Sequence, residues 1–202
     1  MSTGRSKTIT LVGIDGVGDD HGLLKAMGHS LKIFPVDDTF YYSKKMTREE
    51  CQEFTIKELN DYIKTDFMLL IQSDGFISNP NMWSDTFFDY DYLGARWWHN
   101  DPHIKYAKSE NIVCKNVVGN GGFTLRSKKF LEEASKLTYD GYSPEDAFLC
   151  IKNYDTLTEA GIRFAPDHIA DRFSLEPDGL RLGGSLGRSF GFHGNTTIID
   201  KI

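Results

Sequence analysis

Four short clusters in this 202-residue chain bring together residue types that handle charged ligands. The first is MLLIQSDGFI, Met68 to Ile77, where an apolar run delivers Gln72, Ser73 and Asp74 into a turn containing Gly75. A buried strand ending in a carboxylate is a usual place for ligands and metals in α/β proteins. The same Asp could equally form a turn or cap a helix. VGNGGFTLRS, Val118 to Ser127, is the second cluster, with three glycines in five residues and Asn120 and Arg126 available for polar contacts. Such glycine density fits a backbone pressed against a bound molecule, although a bulged hairpin would also use it. PEDAF follows, setting Glu145 and Asp146 side by side after Pro144. At a helix start these acids complement the dipole; in a site, one acts as general base on a hydroxyl while its neighbour supports it. The fourth cluster, FGFHG, places His193 where an imidazole could complete a cation site with Asp74.

These groups need a scaffold that gathers them. Ile9 to Ile14, ITLVGI, predicts a first strand ending in Asp15, with the turn GVGDDHG and a helix through LLKAM behind it. LKIFPV, Leu31 to Val36, predicts a second strand whose Pro35 sets it at an edge or near its own end. Thr47 and Glu50 predict a capping box opening a helix to about Lys64, with Phe54, Ile56, Leu59 and Ile63 on its apolar stripe. Phe67 to Ile71 predicts the central strand. The order strand, helix, strand favours an α/β fold with a mostly parallel mixed sheet flanked by helices, so that Asp15 and Asp74 share one rim.

Farther along, residues 81–88 predict a short helix and Asp91 to Trp98 a strand that becomes aromatic. Residues 99–116 lack periodicity and predict a long binding loop. Val117 to Gly122 and Phe123 to Arg126 predict strand material around the glycine corner, with Ser127 capping the helix KKFLEEASKL. Ile162 to Ala165 and Arg172 to Leu175 supply late, short strands. Trp97 and Trp98 are either core or a platform for sugar faces. His99 and His103 have the spacing of a metal pair, but Pro102 argues against a regular helix carrying both. Gly13, Gly16 and Gly18 follow GxxGxG rather than GxGxxG, which argues against a dinucleotide fold and for a turn where Gly13, Ile14 and Asp15 meet a nucleotide base.

Composition narrows the function classes. With 40% hydrophobic and 26% charged residues the chain can bury a full core as one domain. A formal charge of -6 argues against a nucleic-acid partner and suits a carboxylate-rich cation site. No apolar run approaches the roughly 20 residues of a membrane span, and the polar start lacks a signal-peptide core, so a cytoplasmic location is expected. Cys51, Cys114 and Cys150 show no CxxC spacing and predict reduced thiols.

Taken in order, Q-S-D, GNGG-x-x-LR, PED and the terminal His resemble the GT-A glycosyltransferase superfamily, over about Ile9 to Gly194. The compact size is similar to glycosyltransferase domains of large algal viruses, the chloroviruses, that decorate their own capsid glycans in the host cytoplasm. The resemblance implies a single GT-A-like domain over residues 1–202. It implies a metal-dependent transferase moving a sugar from a nucleoside diphosphate sugar, with UDP preferred, to an oligosaccharide or glycoprotein acceptor with inversion. Asp74 and His193 would then hold Mn2+ or Mg2+. Gly13, Ile14, Asp15, Gln72 and Ser73 would line the nucleotide pocket with Asp74, and Asp37 or Asp38 would meet the ribose or base. Asn120, Gly121 and Gly122 would border the sugar and acceptor, beside the Trp97 and Trp98 platform. Asp146 would be the base, supported by Glu145. Gln72 departs from the usual first acid, so weak, donor-dependent metal binding is expected. Two other readings are a non-catalytic carbohydrate-binding module that stacks sugars on Trp97, Trp98 and surface tyrosines, and a sugar-nucleotide nucleotidyltransferase or hydrolase.

Overall fold

The computed structural model of the protein describes residues 5–98, 101–195 and 197–199. Among these, β1 (Ile9–Asp15), β2 (Asp38–Ser43), β3 (Phe67–Ile71), β5 (Tyr92–Leu93) and β6 (Phe123–Ser127) form one sheet in the order β2-β1-β3-β6-β5. β1 runs parallel to β2 and β3, while β6 runs antiparallel to both β3 and β5. The sheet is thus mixed, with its parallel part at β2-β1-β3, as the sequence pattern predicts.

Alternation in β3 divides the core. Phe67, Leu69 and Ile71 pack on one face with Ile9, Leu11, Leu23 and Met27, the last two from α1 (His21–Ile33). Met68 and Leu70 pack on the other with Val12, Phe54, Leu59 and Phe130. Those latter side chains come from a helical stretch running through α2 (Arg48–Glu53), a π turn (Phe54–Glu58) and α3 (Leu59–Tyr62), and from α5 (Lys128–Lys136). A period-2 strand buried on both faces calls for helices on both sides, and the chain supplies them. Ser127 caps α5 as predicted, accepting from the Phe130 N–H.

The structure corrects several predicted elements; of the strand expected at 172–175 only Ser174 and Leu175 pair, while Arg172 and Phe173 end a helix. The strand expected at 31–36 is the last turn of α1, with Leu31 on its exposed side and Phe34 as its first extended residue. A short apolar run has no periodicity of its own, and the helix already under way absorbs it. β2 lies instead in DTFYYS, an edge strand whose half-exposed alternation made it look like a polar connection. The loop expected at 99–116 contains α4 (Pro102–Ser109), which Pro102 opens at its first position with Asp101 as N-cap. Residues 117–122 add only a bridge between Val118 and Arg96 to the predicted strand, and residues 162–165 only one between Phe164 and Tyr92.

A smaller sheet holds β4 (Phe76–Ile77), β7 (Ser174–Leu175) and β8 (Gly191–Phe192), with β8 in the middle. Helices α6 (Glu145–Ala147), α7 (Tyr154–Glu159), α8 (Asp167–Phe173) and α9 (Pro177–Arg181) complete the α-helices among the described residues, and the helix expected at 81–88 is two short 3-10 turns, Pro80–Met82 and Asp85–Asp89. No helix among the described residues is long and apolar enough to cross a membrane.

The capping box that opens α2 is present in both directions: Thr47 Oγ1 accepts from the Glu50 N–H at 3.1 Å, and Glu50 accepts from the Thr47 N–H at 2.7 Å. Thr47→Ala should therefore cost about 1 kcal/mol in urea unfolding. An unchanged midpoint would show that the cap carries no stability.

Candidate active site

Strand directions decide which residues meet. β1 and β3 are parallel with Gly13 opposite Ile71, so Ile14 and Asp15 leave the sheet beside Gln72. β6 is antiparallel to β3 with Phe123 opposite Ile71, so the glycine corner arrives at the same rim, and the Gln72 N–H donates to the Gly122 carbonyl at 3.0 Å. In the small sheet, Phe192 lies opposite Phe76 and beside Leu175. Its exits therefore bring together Asp74, Glu176 and His193.

The result is a cavity of about 670 Å3, whose walls include Asp15, Gln72, Asn120, Asp146 and His193. That volume lies within the roughly 300–1,000 Å3 usual for small-molecule sites. Its floor is Gly121 and Gly122. A methyl group on Gly122 would overlap the His193 ring, and one on Gly121 would lie 2.9 Å from Glu145 Oε2. Side chains on two consecutive residues are thus excluded by two different charged groups.

At one end, His193 Nδ1 donates to Glu176 Oε1 at 2.9 Å, and Nε2 lies 3.3 Å from Asp74 Oδ1. Asp74 does not itself line the cavity; it borders it through His193. Burial opposes charge on this imidazole, but the Asp74 and Glu176 hydrogen bonds outweigh it and raise its pKa to about 9. Burial likewise works against the Asp74 anion, and His193 overcomes it, holding the carboxyl below its ordinary value. Asn120 ties this end to the floor: its amide donates to Glu176 Oε1 and accepts from the Gly122 N–H at 3.0 Å.

At the other end, Asp146 Oδ1 receives the Ala147 N–H at 2.8 Å and faces His103 Nε2 at 3.1 Å. Oδ2 has only a long 3.3 Å contact with the Gly121 N–H. His103 Nδ1 reaches Asp101 Oδ1 at 2.8 Å. Desolvation disfavours the His103 cation, yet its two carboxylate partners raise its pKa to about 10. Asp146 is held below its ordinary value because His103 and the two N–H groups outweigh its burial. Glu145 Oε1 is committed to the buried Arg126 guanidinium, and burial pushes its carboxyl up against that pull. Glu145 thus anchors α6 to β6.

The structure gathers Ile14, Asp15, Gln72, Ser73, Asn120, Gly121, Gly122, Glu145, Asp146 and His193 around one cavity, with Asp74 at its border. The other predicted site residues lie elsewhere. Asp37 accepts from Arg5 and from the Ile9 N–H, and Asp38 starts β2 opposite Thr10, so both sit at the far end of the sheet from Asp15. Gly13 packs under Met27 and Leu23 of α1 and seats that helix on β1. Asp15 lines the cavity but spends its carboxylate on the Val17 and Gly18 N–H groups and the Ser43 hydroxyl. Trp97 is buried, stacked on His103 with ring centroids 4.7 Å apart. Trp98 is half-buried, with the Arg96 guanidinium over its ring at 3.8 Å. The two rings therefore do not form the paired platform expected of them. His99 lies outside the described residues.

Sequence reasoning missed Glu176, Asp101 and the role of His103. The pattern Asp101-Pro102-His103 is a helix-start signal, an N-cap followed by proline, and would have placed His103 on a first turn. Nothing local marks Glu176, whose partners are set by β-pairing.

A family model described as "Protein of unknown function (DUF5672)" matches residues 36–193. The chain belongs to that family. No protein of curated function matches its sequence. Among solved structures it is similar to a glycosyltransferase involved in the glycosylation of the major capsid of PBCV-1, with a TM-score of 0.60 and 13% identity over 96% of this chain and 97% of that one. It is also similar to the galactosyltransferase LgtC in complex with donor and acceptor sugar analogs, at a TM-score of 0.51 and 11% identity over 91% and 86% of the two chains. An active-site mutant of LgtC gives 0.55 and 13% over the same shares. The fold is that of GT-A-like glycosyltransferases, including one from a chlorovirus.

Gly122→Ala should cost about 1–3 kcal/mol in urea unfolding, since the added methyl has to displace His193. A neutral result would mean the contact is loose. The His103 shift also has a signed consequence. Its folded-state value exceeds the ordinary 6.5, so its contribution to stability is complete below about pH 6.5 and is lost progressively as the pH rises to about 10. Thermal unfolding between pH 6 and 10 should show Tm falling, with a shallower slope in His103→Gln. Parallel slopes would contradict the clamp.

Proposed function

We propose that the protein is a glycosyltransferase that moves a sugar from a nucleoside diphosphate sugar, with UDP as the nucleotide, to a hydroxyl of an oligosaccharide or glycoprotein, inverting the anomeric centre. The observation that carries this reading is the glycine floor, which joins a histidine–carboxylate end and a carboxylate base end across two residues of one cavity. The likeness of fold supports the same class.

The donor set at the Asp74 end suits a hard divalent cation. His193 Nε2 and Asp74 Oδ1 are 3.3 Å apart, close to the ~3 Å expected of neighbouring ligands on an octahedral Mg2+ or Mn2+. Glu176 on the far nitrogen is the partner that orients a ligating histidine. Among the described residues no group of three or more His, Cys, Asp or Glu side chains could hold a metal by itself. Two protein ligands, with the donor's phosphate oxygens completing the shell, make binding weak and donor-dependent. Asp74 and His193 would hold Mn2+ or Mg2+, which would offset charge growing on the departing diphosphate.

The chain's own groups do the rest. Asp146 presents Oδ2 to the cavity and removes the acceptor's hydroxyl proton as that oxygen bonds to the anomeric carbon. The bond to the diphosphate breaks with its electron pair staying on the leaving oxygen. Gly121 and Gly122 let the sugar lie against backbone, between the two ends.

Thermal shift with UDP and Mn2+ together should raise Tm by several degrees, more than either alone, and Asp74→Asn should reduce the gain. Asp146→Asn should keep that shift while UDP release in the presence of an acceptor drops at least about a hundredfold. Absence of any shift with UDP or another nucleoside diphosphate would overturn the reading.

A further inference from the structure

We infer that His103 is a positioning residue for the base: clamped between Asp101 and Asp146, it occupies Oδ1 of Asp146 and keeps that carboxylate an anion with Oδ2 open to the cavity. The clamp is read from geometry; its catalytic meaning rests on the glycosyltransferase reading.

His103 is held through both ring nitrogens, its backbone N–H and one ring face. Its ring nitrogens face carboxylate oxygens at 2.8 and 3.1 Å, an arrangement in which both can donate only as the cation. Its backbone N–H donates to the same Asp101 oxygen at 2.8 Å, so the N-cap of α4 and the ring share one anchor. The Trp97 indole lies nearly parallel to the ring, at an interplanar angle of 14°, and is itself wedged against Gly119, where a methyl would overlap it. Two carboxylates and one indole face thus hold the imidazole against Asp146.

The surrounding charges leave this task to His103. Glu145 on α6 and Arg126 on β6 satisfy one another. Tyr92 on β5 and Cys150 in the turn after α6 are buried, and their pKa values lie well above the ordinary, so both stay neutral. Asp101, His103 and Asp146 then sum to one negative charge, carried by the carboxylate whose second oxygen lacks a close partner. During transfer that oxygen takes the acceptor proton and later releases it to solvent, while His103 keeps its own proton throughout. Removing the cation should raise the proton affinity of Asp146 without touching the Asp74 and His193 end.

The test compares wild type with His103→Gln by carbon NMR of the aspartate carboxyls, assigned with Asp146→Asn, and by the pH profile of UDP release. An opposite charge at this range moves a carboxylate by about 1–3 pH units, so the Asp146 midpoint should rise by that amount in His103→Gln. The acid limb of kcat should move with it, and KM for the donor should stay within about twofold. An unmoved midpoint, or a shifted midpoint with an unmoved acid limb, overturns the proposal. Should wild type release UDP from no sugar nucleotide, the transfer reading falls, and the carboxylate midpoint still decides whether His103 acts on Asp146. If His103→Gln does not fold, the wild-type imidazole is the readout. A ring that remains cationic past pH 8 supports the clamp, and one titrating near its ordinary value of about 6.5 overturns it.

Discussion

Steric exclusion at Gly121 and Gly122 is the constraint on which the site depends. Adjacent Cα atoms lie about 3.8 Å apart, and here one faces the Glu145–Asp146 pair while the next faces His193. Any side chain would push the two charged ends apart or fill the space between them. Gly75 extends the same logic, because a methyl there would overlap the Gly122 carbonyl. The close seam between the turn after β3 and the entry to β6, closed by the Gln72 hydrogen bond, thus exists because both strands approach it through glycine. Sheet directions deliver the residues; missing side chains let them meet.

Charge within the seam follows one pattern used twice. Each histidine stands between two carboxylates, His193 between Asp74 and Glu176 and His103 between Asp101 and Asp146. Burying a carboxylate is costly unless a partner and hydrogen bonds meet it, and an acidic chain with six histidines uses two of them here. Arg126 does the same for Glu145 from beneath the floor. Asn120 ties the His193 end to the floor, holding Glu176 with one amide atom and Gly122 with the other, so both of its polar atoms serve the scaffold. The two ends differ: Asp146 keeps a nearly free oxygen, whereas His193 and Asp74 face one another at 3.3 Å.

Much of this was legible in the residues, and the failures have physical causes. The apolar run from Phe67 to Ile71, the Thr47–Glu50 box and the Ser127 cap are local signals, and local signals survived folding. LKIFPV failed because an apolar stretch continues a helix as readily as it starts a strand, and DTFYYS failed because an edge strand does not need a buried face. Composition identified Trp97 as a large apolar ring; only packing shows that it backs His103 and not a sugar. Asp37 and Asp38 look like a pocket pair only if the second strand ends before them, and they fall at the wrong rim once it begins with Asp38. Glu176 was out of reach because its partners are set by β-pairing, whereas the helix entry at Asp101-Pro102 marks the place of His103 but not its partner Asp146.

The most direct measurement is a crystal structure with UDP-sugar and Mn2+, collected at the manganese absorption edge. One anomalous peak is expected between Asp74 Oδ1 and His193 Nε2, with the sugar lying over Gly121 and Gly122 and its anomeric carbon on the Asp146 side. A diphosphate bound away from His193, or a sugar that leaves the glycine floor uncovered, would contradict that arrangement.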